Sequence, residues 1–133
     1  MGNKGKYVAY VSTYTMGDKH GIKIYDVDME KGRFQEKDQV EITNSSYVTI
    51  SKNKKFLYSI TDFGVEAYRI EPDGGLELIN FAPINGMRGC YLSTDYEDKF
   101  LFVAGYHDGK LTVLRLLEDG SIGAITDEIY HKG

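Results

Sequence analysis

The sequence predicts an all-β fold made of small antiparallel sheets, and three observations carry that reading. A strand-like unit recurs about every 44 residues, the size of one β-propeller blade. Its copies are Gly21-Ile22-Lys23-Ile24-Tyr25-Asp26-Val27, Gly64-Val65-Glu66-Ala67-Tyr68-Arg69-Ile70 and Gly109-Lys110-Leu111-Thr112-Val113-Leu114-Arg115. Second, neighbouring pieces recur in the same order: Lys55-Phe56-Leu57-Tyr58-Ser59-Ile60 matches Lys99-Phe100-Leu101-Phe102-Val103-Ala104, and Pro72-Asp73-Gly74-Gly75 matches Glu118-Asp119-Gly120. Third, apolar residues at helical spacing are sustained nowhere.

Each element is a short run rich in Val, Ile, Tyr, Phe and Leu, bounded by Gly, Asn, Asp or Lys clusters. With strands lettered a to d outward from the ring axis, 7–14, 21–28 and 34–42 read as strands b, c and d of a first blade. That blade has no strand a of its own and must borrow one. The second blade reads as 47–51, 56–61, 64–71 and 76–82, the third as 89–93, 100–105, 110–117 and 122–130. The corresponding units are 7–44, 45–86 and 87–133.

A propeller sends its a-to-b and c-to-d connections to one face. Here these are 28–32, 51–55, 71–75, 95–99 and 117–120, in which Asp, Asn and Pro preset the bend and Gly supplies positive φ. They read as solvated turns, free to change. The other face receives the d-to-a and b-to-c connections, which carry Thr13, Tyr14, Thr15, Asp18, His20, Ser45, Ser46, Asp62, Arg88, His107 and Asp108. The segment between Val11 and Gly21 is longer than its counterparts and has the length of a lid. Loops held by a rigid scaffold are where binding and chemistry concentrate.

Composition narrows the function. At 133 residues and 41% hydrophobic, the chain can bury a core. Propellers need at least four blades of roughly 40 residues, so about three repeats leave the ring open, to be completed by the rest of a longer protein or by another chain. A net charge of −4, with 16 basic and 20 acidic residues intermingled, offers no basic stripe for nucleic acid and no polybasic tail for a membrane. No run approaches the roughly 18 apolar residues of a membrane span. The lone Cys90 fits a reducing compartment, and cytoplasm is the expected location. Three histidines without H-x-x-H or H-E-x-x-H spacing predict no metal site, and there is no cofactor signature.

The repeats resemble those of the seven-bladed propeller lactonases, the group that includes propeller-type 6-phosphogluconolactonase and carboxymuconate cyclase. The residues that carry the resemblance are Tyr10-Val11-Ser12-Thr13-Tyr14-Thr15, Gly21-Ile22-Lys23-Ile24-Tyr25, Ser46-Tyr47-Val48-Thr49-Ile50-Ser51, Lys55-Phe56-Leu57-Tyr58 and Lys99-Phe100-Leu101-Phe102-Val103-Ala104-Gly105-Tyr106. The resemblance implies about three of an expected seven blades, with further catalytic groups on blades outside this sequence. It also implies lactone hydrolysis at the channel mouth, on a sugar-derived or carboxylated lactone. A carboxymuconate-type cycloisomerase and a non-catalytic binding platform are the alternatives. Two positions depart from the pattern. Relatives carry Pro-Cys-His where this chain has Gly89-Cys90-Tyr91, and Ala-Asn-Tyr where it has Ala104-Gly105-Tyr106. With a reference pKa of about 10 against about 6.5, a tyrosine does not replace histidine as a base near neutral pH.

On this reading Arg88 grips a substrate anion with two parallel hydrogen bonds, a role a guanidinium fills well. His131, which activates water, and Tyr91 are the catalytic residues; Tyr91 or Tyr106 contacts the lactone carbonyl or hydroxyls, and Tyr106, Tyr14 and Ser46 bind substrate beside Arg88. Ser45 and Ser46 lack the G-x-S-x-G setting of a nucleophile elbow.

Overall fold

A computed structural model describes residues 6–12, 21–42, 45–85, 89–105 and 109–130. All the regular structure among them is β, in three antiparallel sheets. The first comprises β1 (Lys6–Ser12), β2 (Ile22–Asp28) and β3 (Arg33–Val40), in that order. The second runs β4 (Val48–Ile50), β5 (Phe56–Thr61), β6 (Gly64–Ile70), β7 (Leu76–Pro83). The third runs β8 (Tyr91–Thr94), β9 (Phe100–Ala104), β10 (Lys110–Leu116), β11 (Ile122–Tyr130). Each is a meander with nearest-neighbour pairing, the architecture of a propeller blade. In the two four-stranded blades the first strand is the shortest and the last the longest, which gives the wedge shape that radial packing requires. β4 touches β8 and β7 touches β11, so like strands of successive blades face each other.

The middle blade is buried on both sides because alternation sends its side chains to two neighbours. Every residue of β5 is buried. Leu57 and Tyr68 join Ile22 and Ile42 in a core shared with the first blade. Phe56, Tyr58, Ile60, Val65 and Ala67 pack with Leu92, Leu101, Val103, Leu114 and Leu116 of the third. At about 25 cal/mol per Å² of apolar surface, these two cores are the principal stabilising contribution. β3, the outer strand of the first blade, is exposed over seven of its eight residues, in keeping with its polar sequence Arg33-Phe34-Gln35-Glu36-Lys37-Asp38-Gln39.

Strand pairing corrects the third repeat by one residue. Val65 lies opposite Ile60 in the second blade, and Leu111 lies opposite Ala104, the counterpart of Ile60, in the third. Lys110 therefore corresponds to Gly64, and Gly109 belongs to the preceding connection, with φ 59°. An extra residue before β10 accounts for the shift.

A second correction concerns the turns that read as solvated and free to change. Asx hydrogen bonds do shape them: Asp95 Oδ1 accepts from the N–H groups of Lys99 (2.7 Å) and Phe100 (2.8 Å), and Asp119 Oδ1 accepts from Ser121 N–H (2.9 Å). Several of them also bind the neighbouring blade. Tyr10 donates its hydroxyl to the carbonyl of Gly74 at 2.6 Å, and one blade later Tyr58 donates to that of Gly120 at 3.0 Å. Both glycines are buried with positive φ, 91° and 87°. A Cβ on Gly120 would lie 2.2 Å from the Phe56 ring, and one on Gly74 would lie 2.7 Å from Val8. Asp98 accepts from the N–H groups of Lys52 (2.8 Å) and Asn53 (2.9 Å), joining two a-to-b turns. Asn80 adds a two-bond clasp to the backbone of Ile122 (2.9 and 3.0 Å).

Candidate functional site

The candidate face carries the connections that enter strands a and c. Among its described residues are Ser45, Ser46, Asp62, Phe63, Asn85, Gly89 and Cys90, with Tyr47 and Tyr91 at the entrances to the two inner strands. Four of the six residues expected to form the site, His131, Arg88, Tyr106 and Tyr14, lie outside the described residues. Tyr91 and Ser46 are placed.

Tyr91 opens β8 and is 49% exposed. Its ring centroid lies 5.0 Å from that of Tyr47, with the planes tilted by 44°. This is a tilted aromatic contact of the kind the ring quadrupole favours. Tyr47 was absent from the sequence-derived set, although its signal was available. It stands at the same place in the second inner strand as Tyr91 in the third. The Tyr47 carbonyl accepts from Ile60 N–H at 3.0 Å, and Tyr91 lies opposite Ala104.

Ser46 precedes this pair. Its Oγ is the one buried side-chain oxygen or nitrogen among the described residues that has no hydrogen-bond partner. Leaving a buried hydroxyl unpaired costs about 1–3 kcal/mol, so such a group calls for an explanation. Next to it, Ser45 is fully buried and lies 2.6 Å from Ser59 Oγ. Ser59 donates its only hydroxyl proton to the carbonyl of Ile60 at 3.0 Å, so Ser45 is the donor within the serine pair. Neither serine has a base beside it in these contacts, and the pair anchors the inner strand rather than forming a nucleophile.

At the outer side of the same face, Lys110 is only 5% exposed. Its ammonium lies 3.1 Å from Glu128 Oε2, donates to the carbonyl of Asn85, and sits 5.7 Å from the centre of the Tyr130 ring. Asn85 Nδ2 completes the group with a bond to Glu128 at 3.2 Å. The bond from Lys110, then that from Asn85, holds the Glu128 carboxyl below the usual range. The group ties the exit of β7 to the third blade. Sequence reading missed it because the one-residue shift made Lys110 look like a counterpart of Val65.

Comparison with known proteins gives this face its context. A family model described as "Lactonase, 7-bladed beta-propeller" matches residues 8–133. The chain belongs to the seven-bladed β-propeller lactonase family. It is 38% identical over 134 residues to a 6-phosphogluconolactonase of Bacillus subtilis strain 168, covering 96% of this chain and 38% of that protein. A 6-phosphogluconolactonase of Formosa agariphila is 33% identical over 118 residues, covering 83% and 33%. Among solved structures, a protein of Bacteroides fragilis provisionally named 6-phosphogluconolactonase superimposes with a TM-score of 0.89 at 31% identity, over 97% of this chain and 37% of its own. The periplasmic gluconolactonase PpgL of Pseudomonas aeruginosa does so with a TM-score of 0.85 at 26% identity, over 95% and 39%. The chain thus spans well under half the length of these relatives. No helix among its described residues is long and apolar enough to cross a membrane.

Proposed function

We propose that the protein carrying these blades hydrolyses a lactone at the face where the d-to-a and b-to-c connections gather. The observation that carries this reading is the 38% identity to a 6-phosphogluconolactonase over 96% of the chain. In the reaction, water adds to the ring carbonyl carbon and the acyl C–O bond breaks. The ring oxygen leaves as a hydroxyl, and the new carboxylic acid ionises with release of one proton. Catalysis needs a polarised carbonyl and a positioned water. We assign Arg88 to the substrate's anionic group, Tyr91 and Tyr106 to its carbonyl or hydroxyls, His131 to water activation, and Ser46 and Tyr14 to further contacts. The remaining groups come from the other blades, and a sugar-derived lactone is the proposed substrate.

Further blades are the proposed partner of the third sheet. Phe100, Phe102, Ala104, Leu111 and Val113 share its partly exposed side. Their counterparts in the second sheet, Phe56, Tyr58, Ile60, Val65 and Ala67, are buried by the next blade. For the intact protein we propose a cytoplasmic location, in keeping with the single cysteine.

Arg88→Ala tests the anion grip. In the intact protein it should raise KM for 6-phosphogluconolactone about tenfold or more and leave that for unphosphorylated gluconolactone nearly unchanged, because only the former presents a dianion to a bidentate donor. An unchanged KM for 6-phosphogluconolactone in the variant would remove Arg88 from the site.

A further inference from the structure

The exit of β7 and the end of β11 are held by one buried side chain. Lys110 opens β10, and its ammonium reaches the carbonyl of Asn85, the carboxylate of Glu128 and the ring of Tyr130. The same position in the two earlier blades is glycine, Gly21 and Gly64, where a Cβ would lie 2.1 Å from the Ile42 side chain and 2.1 Å from the carbonyl oxygen of Ala82. Neither blade has room for a side chain there, so the lysine is a departure of the third blade from its own repeat. A lysine is almost never fully buried without a paired charge, and burying such a pair brings little net stability, so packing alone does not account for the exchange. The neighbours it holds do account for it: Asn85 stands three residues before Arg88, and Tyr130 immediately precedes His131.

We propose that Lys110 is a positioning residue that fixes the two chain segments leading to Arg88 and His131. The inference rests on the lactonase reading, in which Arg88 grips the substrate anion and His131 activates water, and deepens it by naming what anchors both. Asn85 is fastened twice, by its carbonyl to Lys110 and by its Nδ2 to Glu128 at 3.2 Å. Just before it, Ile84 N–H donates to the carbonyl of Phe63 at 3.1 Å, and beyond the connection Cys90 N–H donates to that of Ala104 at 2.8 Å. Residues 86–88 thus span two anchored points, and a short tether between fixed ends has few arrangements open to it. At the other segment, Tyr130 ends β11 opposite Lys110, with its ring centre 5.7 Å from the ammonium, so the chain leaves for His131 from the same brace. A displacement of about 1 Å at a reacting group can cost on the order of a hundredfold in rate, which is the scale of what such a brace protects.

The test is steady-state turnover by the intact protein carrying Lys110→Met, which keeps an unbranched stem and removes the charge. On 6-phosphogluconolactone it should raise KM about 3- to 10-fold through Arg88 and lower kcat by about as much through His131, whereas on unphosphorylated gluconolactone only kcat should fall. Added to Arg88→Ala, it should raise the KM of that variant by less than about twofold, because the group it positions is gone. Tyr58→Phe is the control: it loosens the same seam between the second and third blades at the opposite face, and should lower stability while KM and kcat stay at wild-type values. Glu128→Gln is the milder variant should Lys110→Met fail to fold, and should move KM and kcat in the same directions by about twofold. Amide hydrogen exchange reads the brace without turnover, and segments 84–91 and 128–131 should exchange faster in Lys110→Met than in Tyr58→Phe. Wild-type KM and kcat in a folded Lys110→Met protein, while Arg88→Ala still raises KM, overturn the positioning role and leave the lactonase reading standing. KM effects that multiply in the double variant, or unchanged exchange in both segments, also overturn it. Faster exchange confined to those segments, in a protein that hydrolyses neither lactone, would uphold the brace and remove only the lactonase reading.

Discussion

At the scale of single residues, the hydroxyl of Ser46 is the most informative polar group. Buried without a partner, it does nothing for the fold. Ser46→Ala should therefore leave the melting temperature unchanged or raise it, by up to about 1 kcal/mol in stability, while weakening lactone binding. A clear loss of thermal stability in a melting experiment would show that the hydroxyl is structural. The interblade latches behave in the opposite way. Burial, followed by the charges of Asp98 and Asp119, pushes the Tyr58 phenol well above its ordinary pKa, so it remains a donor to Gly120 at any accessible pH. Tyr58→Phe should cost about 1–2 kcal/mol in chemical denaturation, the loss expected when a buried carbonyl keeps no partner. Gly120→Ala should cost more, since it adds a clash with Phe56 to the strain of positive φ. Gly32→Ala is the control. That glycine also has positive φ (62°) but nothing within 4 Å of its would-be Cβ, so only the strain of about 1 kcal/mol remains. Tyr91 was legible in the sequence as a half-polar residue on an inner strand. Gly74 and Gly120 were legible as turn glycines only, because their partners stand 64 and 62 residues away and no local pattern shows which blade will press against them.

At the scale of elements, strand positions followed from alternating Val, Ile, Tyr and Phe, and so did the turns, where Asp and Asn side chains fold back onto the backbone. The register of the third repeat did not follow. Gly64, which opens β6, and Gly109, which precedes β10, are the same residue type beside similar runs, and only the pairing of Leu111 with Ala104 reveals the extra residue. The shift makes Lys110 the brace between β10, β11 and the exit of β7. Because the Glu128 carboxyl is held below its ordinary pKa, the brace stabilises fully above about pH 4–5 and loses that contribution as pH falls through the lowered folded value. Melting curves taken across pH should show Glu128→Gln below wild type near neutrality and the two converging in acid. A constant gap at every pH would mean that the ion pair contributes nothing. Asp95 belongs to the same regime. Burial alone would raise its pKa, but the backbone N–H groups of Phe100, Lys99, Glu97 and its own residue outweigh that and lower it. It therefore adds to stability lost in acid.

At the scale of the whole molecule, the period of about 44 residues was enough to reveal a stack of blades, because each blade repeats the same alternation against the next. The candidate site was only partly legible. A propeller site collects one or two residues from each of many blades, and a sequence spanning 33–39% of the related chains holds a corresponding share. Tyr47 and Tyr91 show what repeat reasoning can recover: equivalent positions at the entrances to successive inner strands come into ring contact. The central claim is that a lactone is opened at this face, and the most direct measurement is proton release by the intact protein in weakly buffered solution containing 6-phosphogluconolactone or gluconolactone. Release should exceed the spontaneous rate in proportion to protein concentration, and fall when Arg88 or Tyr91 is replaced on the substrates each is assigned to bind. Release at the spontaneous rate with both lactones, from a folded and complete protein, would contradict the account.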